Sequence, residues 1–350
     1  SVWAAATRYA VWRIRGPSSL RSLWRRCGVE DRKDVILEIK DLKKYFKSPT
    51  GTLHAVDGVS FSIRRGETLG LVGESGCGKS TIGRLILGLH QATGGEILFN
   101  GRDICKMSKP ELHSLRRDLQ IIFQDTFSSL NPRMSIGEII GEPLRIHKKI
   151  RSRAELDAEV SRLMDVVGLS ARLFNSYPHE LDGGRRQRVG IARALSLKPQ
   201  FIVCDEPVSS LDVSIQAQVL NLLKDLQGEF GLTYLFITHD LSVVKFFSDK
   251  IAVMYLGQLV ETTTSKELFA NPLHPYTRAL LSAIPSVDIH RKKERVILQG
   301  EIVSPVEPKP GCRFAARCPY ATDRCREPQQ LREIAKDHFV SCCRAEEVWE

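Results

Sequence analysis

No run of eighteen or more apolar residues occurs anywhere in the 350-residue chain, so no segment has the length to span a bilayer as a helix. Any membrane role must therefore come through a partner. A clear secretory h-region is lacking too. Nine cysteines are present, but they are not spread as bridges through a short chain, which argues against a secreted disulfide scaffold and for a cytosolic protein. Residues 1–29 hold no acid. They carry six arginines (Arg8, Arg13, Arg15, Arg21, Arg25 and Arg26) beside Trp3, Trp12 and Trp24. Those arginines supply most of the formal charge of +10, so the remainder is only mildly basic and a core built to bind nucleic acid finds little support. Residues 1–33 read as a basic, poorly ordered N-terminal extension, with a transit peptide or a membrane-surface helix as alternatives.

With 26% charged and 42% hydrophobic residues the composition is that of an ordinary globular chain. From Val35 onward it alternates. "VILEIKDL" and "HAVDGVSFSI" read as strands, followed by a turn at "RRGE", a buried strand "TLGLVG", a glycine-rich loop and the helix "KSTIGRLILGL". "LQIIF", "FIVCD", "TYLFIT", "KIAVMYL" and "QLVET" read as further strands, separated by helices such as "RQRVGIARALS" and "SIQAQVLNLLKDLQGEF". The alternation predicts a mainly parallel α/β sheet. Residues from about 136 to 178 read as helical, "SRAELDAEVSRLMDVVGL" most clearly, and predict an inserted helical block. "SPVEPKPG" is a proline-rich linker into the tail.

"GESGCGKS", Gly73 to Ser80, matches the phosphate-loop pattern G-x-x-x-x-G-K-[ST] between a strand and a helix. Such a loop turns backbone N–H groups inward around phosphate oxygens, and the helix N-terminus adds partial positive charge. Gly73, Ser75, Gly76, Cys77, Gly78, Lys79, Ser80 and Thr81 are the nucleotide-binding candidates, with Lys79 reaching the β- and γ-phosphates and Ser80 a ligand for Mg²⁺. "FIVCDEP" places Asp205 and Glu206 at the end of an apolar run, where two carboxylates are costly unless they serve a metal and an attacking water.

The ordered set resembles the ATPase subunit of ABC transporters over roughly residues 35–285. "IIFQD" is similar to that family's Q-loop, "SSLD" to its D-loop and "FITHD" to its switch histidine. The resemblance implies that Gln124 touches Mg²⁺ and senses the γ-phosphate, that Asp212 lies in the D-loop, and that Gln124, Glu206 and His239 form the catalytic set. Mg²⁺ would be held by Ser80, Gln124 and Asp205. In "DLKKYF" the aromatic expected to stack on adenine is Phe46 by register, with Tyr45 the alternative. "FQDTFSSLNPRMSIGEIIGEPL", "DEPVSSLDVSIQAQVLNLLKDLQ" and "NPLHPYTRALLSAIP" resemble the oligopeptide/dipeptide importer branch. That resemblance implies an ABC-type P-loop nucleotide-binding domain of the α/β class over residues 34–285, with a helical subdomain at about 125–190. A small cysteine-rich C-terminal extension over 286–350 completes the expected layout. The implied partners are a second homologous ATPase, two transmembrane permease subunits and, indirectly, an extracytoplasmic peptide-binding protein, with no nucleic acid. The implied location is peripheral, on the cytoplasmic face of the plasma (inner) membrane, with segment 125–150 against the permease.

One element departs from the family pattern. Where that family reads L-S-G-G-Q, this chain has Leu181, Asp182, Gly183, Gly184 and Arg185. The family's signature faces the γ-phosphate held by the partner subunit. Aspartate suits a helix start, because it caps free N–H groups, but a carboxylate only accepts hydrogen bonds and repels a triphosphate. The expectation is a degenerate signature: this chain's own ATP is turned over against the partner, and the ATP facing Asp182 is served poorly. A tolerated substitution with both sites working is the alternative.

Five cysteines crowd the tail. The spacing of Cys312, Cys318, Cys325 and Cys342 matches neither C-x2-C zinc ribbons nor bacterial ferredoxins. A segment this short cannot easily bury its own core, and a metal would solve that. "GCRFAARCPYATDRC…HFVSC" resembles the importer ATPase tail, which implies a [4Fe–4S] cluster on those four cysteines with Cys343 a neighbour; zinc, with His338 as a further ligand, is the runner-up, and free thiols or air-formed disulfides remain open. Two other function classes stay in play, a nucleic-acid-directed ABC ATPase and an ATP-binding structural subunit with little hydrolysis. The transported substrate is set by subunits outside this chain.

Overall fold

The computed structural model describes residues 35–150, 152–284, 298 and 304–347. The expectations placed on residues 1–33 lie outside them. Twelve strands are seen among the described residues: β1 Val35–Ser48, β2 Gly51–Arg64, β3 Thr68–Val72, β4 Gly94–Phe99, β5 Arg102–Asp103, β6 Leu119–Ile122, β7 Phe201–Asp205, β8 Thr233–Thr238, β9 Lys250–Tyr255, β10 Gln258–Thr264, β11 Arg332–Ala335 and β12 His338–Val340. The α-helices among the described residues are α1 Lys79–Ile86, α2 Lys109–Leu115, α3 Thr126–Ser129, α4 Ile136–Ile146, α5 Arg153–Val166, α6 Gly183–Leu195, α7 Val213–Phe230, α8 Leu241–Phe247, α9 Ser265–Ala270 and α10 Pro275–Ser282.

Two sheets result. The larger runs β11-β12-β10-β9-β3-β8-β7-β6 and the smaller β2-β1-β4-β5. From β9 to β6 every pairing is parallel. Strands β3, β7 and β8 are buried along their whole length, as expected of parallel strands covered on both faces. Alternate residues go to opposite layers. Ile202, Cys204 and Phe236 pack with the α4–α7 layer, whereas Val203, Leu235 and Ile237 pack with α1 and the antiparallel sheet. The α/β expectation holds, but the second sheet, built on the β1–β2 hairpin, was not separable from the first by sequence pattern.

Between β6 and β7 the described regular elements are all helical, α3 to α6 and two short 3₁₀ turns. Their starts are capped: Ser135 and Glu138 form a capping box on α4, and the Ser152 side chain accepts from Glu155 N–H on α5.

The tail does not stand apart. β12 pairs antiparallel with β10, Glu261 opposite Val340, and β11 pairs with β12, so the last strands lengthen the main sheet. Phe314 is buried against Tyr255 and Tyr276. His338 lies in the interior with Nε2 2.7 Å from Glu261 Oε1. His338, offered as a further ligand in the runner-up zinc reading, is not among the residues lining the pocket that the four cysteines share.

Candidate nucleotide site and thiol pocket

The phosphate loop leaves the carboxyl end of β3 and enters α1. Gly78, φ 106°, packs so close to the neighbouring strand that a Cβ there would lie 2.0 Å from the Ala55 carbonyl oxygen. Lys79 is buried, and its ammonium donates to the carbonyls of Gly73 at 2.8 Å and Glu74 at 3.0 Å, which holds the charge inside the loop. α1 then lies directly on the sheet: a Cβ at Gly83 would come within 2.9 Å of Val203 Cγ1 on β7 and 3.2 Å of Ile237 Cδ1 on β8. That approach brings the first turn of α1 to the end of β7, where Ser80 Oγ donates to Asp205 Oδ1 at 2.7 Å.

Asp205 is buried, and desolvation raises its carboxyl above the ordinary value, opposed by the Ser80 hydrogen bond and the Arg84 charge. Glu206 follows in a left-handed conformation, φ 47°, with its N–H donating to Ile237 O at 2.9 Å. A non-glycine residue there carries strain of about 1–3 kcal/mol. The turn aims the carboxylate between two side chains: Gln124 Nε2 donates to Oε2 at 2.9 Å, and His239 Nδ1 lies 3.2 Å from Oε1. Gln124, Glu206 and His239, distant in sequence, thus meet at one point. A hydroxyl beside a buried carboxylate also suits a hard cation such as Mg²⁺.

Of the other candidates, Ser75 and Gly76 are exposed at the loop tip and Cys77 is buried beneath it, its thiol pushed up by burial. Thr81 follows Ser80 in α1, half-buried. Tyr45 stacks on His54, centroids 4.1 Å apart, and donates its hydroxyl to Asp57 at 2.6 Å. Phe46 meets His90 edge-on, with the Lys44 ammonium 4.8 Å from its ring centroid. Asp212 caps α7 by accepting from Ile215 N–H at 3.0 Å. Asp182 caps α6 in the same way, accepting from Arg185 N–H at 2.8 Å, and pairs with Arg185 Nε at 3.3 Å. Among the described residues no hydrogen bond or ion pair joins Asp182, Gly183 or Gly184 to the chain's own phosphate loop.

Cys312, Cys318, Cys325 and Cys342 line one pocket, with Phe314 and His274 in its wall. Burial pushes the Cys312 thiol up to about 12, and the neighbouring cysteines add to that. Cys343 is outside the lining, its sulfur 3.8 Å from that of Cys325. All these cysteines are free thiols, and no group of three or more His, Cys, Asp or Glu among the described residues is arranged to hold a single metal ion. Sequence reasoning missed Arg313 and Arg317, which reach the nucleotide loop and its neighbouring strand from the tail, and Tyr276, which reaches the loop from α10. Nothing in their local sequence signals it, because the partners lie more than 200 residues away.

A strand–loop–helix cradle with acids and a histidine at the ends of adjacent parallel strands defines a P-loop nucleotide-binding ATPase. A family model described as ABC transporter matches residues 56–209, and one described as the oligopeptide/dipeptide transporter C-terminal region matches residues 260–325. The oligopeptide transport ATP-binding protein AppF of Bacillus subtilis is 52% identical over 321 residues, which cover 89% of this chain and 97% of that protein. OppF of Escherichia coli, with the same description, is 53% identical over 314 residues, covering 89% and 94%. Among solved structures, the dimeric post-hydrolysis state of the ATP-binding cassette MJ0796 with ADP and Pi is similar with a TM-score of 0.60 at 30% identity, over 65% of this chain and 98% of that one. The cbiO1 protein of Clostridium perfringens gives 0.61 at 29%, over 68% and 92%. The chain belongs to the ABC transporter ATP-binding subunits of the oligopeptide/dipeptide transporter family. It is an ABC-type ATP hydrolase, for which ATP and Mg²⁺ are expected.

Burial dominates the Asp205 shift, so its sign is testable. The folded chain holds this proton more tightly than the unfolded chain, and stability is lost as pH rises from about 3.8 through the raised value. At neutral pH the nucleotide-free Asp205→Asn chain is expected to melt at a higher temperature than the native chain in scanning calorimetry. An unchanged or lower melting temperature would refute burial as the dominant influence.

Proposed function

We propose that this chain binds and hydrolyses ATP to power import of oligopeptides or dipeptides through a membrane transporter. The observation that carries the chemistry is the Glu206 carboxylate clamped between Gln124 and His239, one residue beyond the Ser80–Asp205 pair. The descriptions of AppF and OppF support transport over the nucleic-acid class.

In this mechanism the loop N–H groups and the start of α1 receive the phosphates, and Lys79 turns its charge onto the β- and γ-oxygens. Ser80, Asp205 and Gln124 would hold Mg²⁺, which neutralises phosphate charge when bound. Glu206 accepts a proton from the attacking water, while His239 and Gln124 fix its carboxylate. Phe46 is the adenine platform, since Tyr45 is already committed to His54 and Asp57. The helices of about 125–190 form a subdomain whose segment 125–150 meets the permease. Two permease subunits, a second homologous ATPase and an extracytoplasmic peptide-binding protein complete the assembly, peripheral to the cytoplasmic membrane face. Reconstituted with those subunits in liposomes, the native chain should drive ATP-dependent peptide uptake. Glu206→Gln should still bind ATP but hydrolyse it about 10²–10⁴-fold more slowly, with uptake lost. Uptake without ATP, or at full rate in the variant, would sink the proposal.

The second ATPase is needed because Asp182 is a poor signature residue. Its carboxylate would face a partner's γ-phosphate with a repulsion of about 1 kcal/mol in water and about 4 kcal/mol at an effective dielectric of 20 for each unit charge at 4 Å. The Arg185 pair offsets little of that. Both side chains are more than half exposed, 59% and 57%, and such pairs contribute about 0.2–1 kcal/mol. In a homodimer every ATP faces Asp182, so the isolated chain should hydrolyse slowly and Asp182→Ser with Arg185→Gln should accelerate it about 10²-fold. Equal steady-state rates would make Asp182 a tolerated helix cap.

Cys312, Cys318, Cys325 and Cys342 would hold a [4Fe–4S] cluster, with zinc the second candidate. Supporting this, four thiols share one pocket, Cys325 buried and the other three partly buried, where metal–thiolate bonds would tie together the turns that carry them. Anaerobically purified chain should contain iron and acid-labile sulfide, both lost in Cys325→Ser. Zinc alone, or no metal, would overturn the cluster.

A further inference from the structure

The two arginines that flank the cysteine turn each end on an acid beside the nucleotide cradle. Arg317, next to Cys318, pairs with Glu74 inside the phosphate loop, Nη1 lying 3.1 Å from Oε1 and 3.0 Å from Oε2. The N–H of Glu74 is held as well, donating to the Tyr276 hydroxyl at 2.9 Å. Arg313, next to Cys312, pairs with Asp57 and donates to the Leu256 carbonyl. Asp57 accepts from Tyr45, beside Phe46 on β1, and its own N–H donates to Gly257 O at 2.8 Å. The Gly257 N–H closes the path by donating to the carbonyl of Cys77 in the phosphate loop at 2.9 Å. Phe314, 1% exposed, is the packed pivot between the two arginines.

Both arginine side chains are largely withdrawn from water, 7% and 9% exposed. A buried ion pair adds little net stability over an apolar pair of the same shape, whereas removing one partner is costly. What these pairs do supply is fixed geometry, and they supply it to the phosphate loop and to the aromatic pair of β1.

We propose that Arg313 and Arg317 are positioning residues through which the cysteine segment sets nucleotide affinity, so that disturbing the thiols loosens the cradle and occupying the cradle protects the thiols. The second half follows from the first, because coupling between binding sites is reciprocal. The inference rests on the nucleotide-binding assignment and extends it to regulation of the same site.

The test uses the full chain. Mg-ADP affinity is measured by calorimetry for the native protein, Arg317→Met, Glu74→Gln and the double variant, and alkylation of Cys312 and Cys318 by iodoacetamide is followed in the same chains, freed of any metal bound by the cysteines, by peptide mass spectrometry with and without Mg-ADP. Each single variant should bind about tenfold more weakly, within the range of coupled sites, and the double no more weakly than either single. Arg317→Lys should recover part of the loss. Mg-ADP should slow alkylation in the native chain and not in the variants. If Arg317→Met fails to fold, Glu74→Gln carries the same test from the more accessible partner. Native binding with unaltered affinity in the variants, or alkylation indifferent to Mg-ADP, overturns the coupling alone. Native chain that binds no nucleotide overturns the nucleotide assignment and the coupling together.

Discussion

Ser80 and Asp205 can share a hydrogen bond only because α1 rests almost in contact with β7 and β8, with Gly83 at the point of closest approach. The rest of the site depends on that seating. Parallel strands present their carboxyl ends at one edge, so once α1 is seated there, the loop after β3, the acids after β7 and the histidine after β8 converge. A side chain at Gly83 would lift the helix, separate Ser80 from Asp205 and withdraw the helix N-terminus from the phosphates. Packing and chemistry are set by the same contact.

Charge is handled differently at the phosphate loop and at the start of α6. Around the phosphate loop each polar group has a built partner: Lys79 on carbonyls, Asp205 on Ser80, Glu206 on Gln124 and His239. Burial strengthens the contacts of Lys79 and Asp205, whereas Gln124 and His239 meet the strained Glu206 turn from exposed positions. Asp182 and Arg185 sit on an exposed helix start, paired with each other and through the cap. The same residue type, aspartate, is thus a buried cation-ready group at 205 and a solvated cap at 182. Only environment distinguishes them.

The tail changes meaning once it is seen in place. As a string of cysteines it looks like a separate small module in need of a metal. In the folded chain its strands extend the main sheet, Phe314 enters the common core, and its arginines pair with Glu74 and Asp57. A pocket of four thiols therefore lies within the structure that shapes the nucleotide loop.

Much of this was legible in the chain itself. "GESGCGKS" and "FIVCDE" specify a phosphate loop and a buried strand ending in acids, because glycine spacing and continuous apolar runs are local properties with few alternative structures. Asp182 as a helix cap was equally readable, since a cap is made within three residues. The second sheet, the commitment of His338 to Glu261 and the reach of Arg313 and Arg317 into the cradle were not. Each joins residues far apart in the chain, between 77 and 256 positions for the side-chain pairs, and no local periodicity records which distant acid a histidine or an arginine will meet. By itself the sequence determined which backbone turns and which chemistry the chain carries. Tertiary packing alone decided which of those groups would touch, because contact over such separations is a property of how layers stack and not of neighbouring residues.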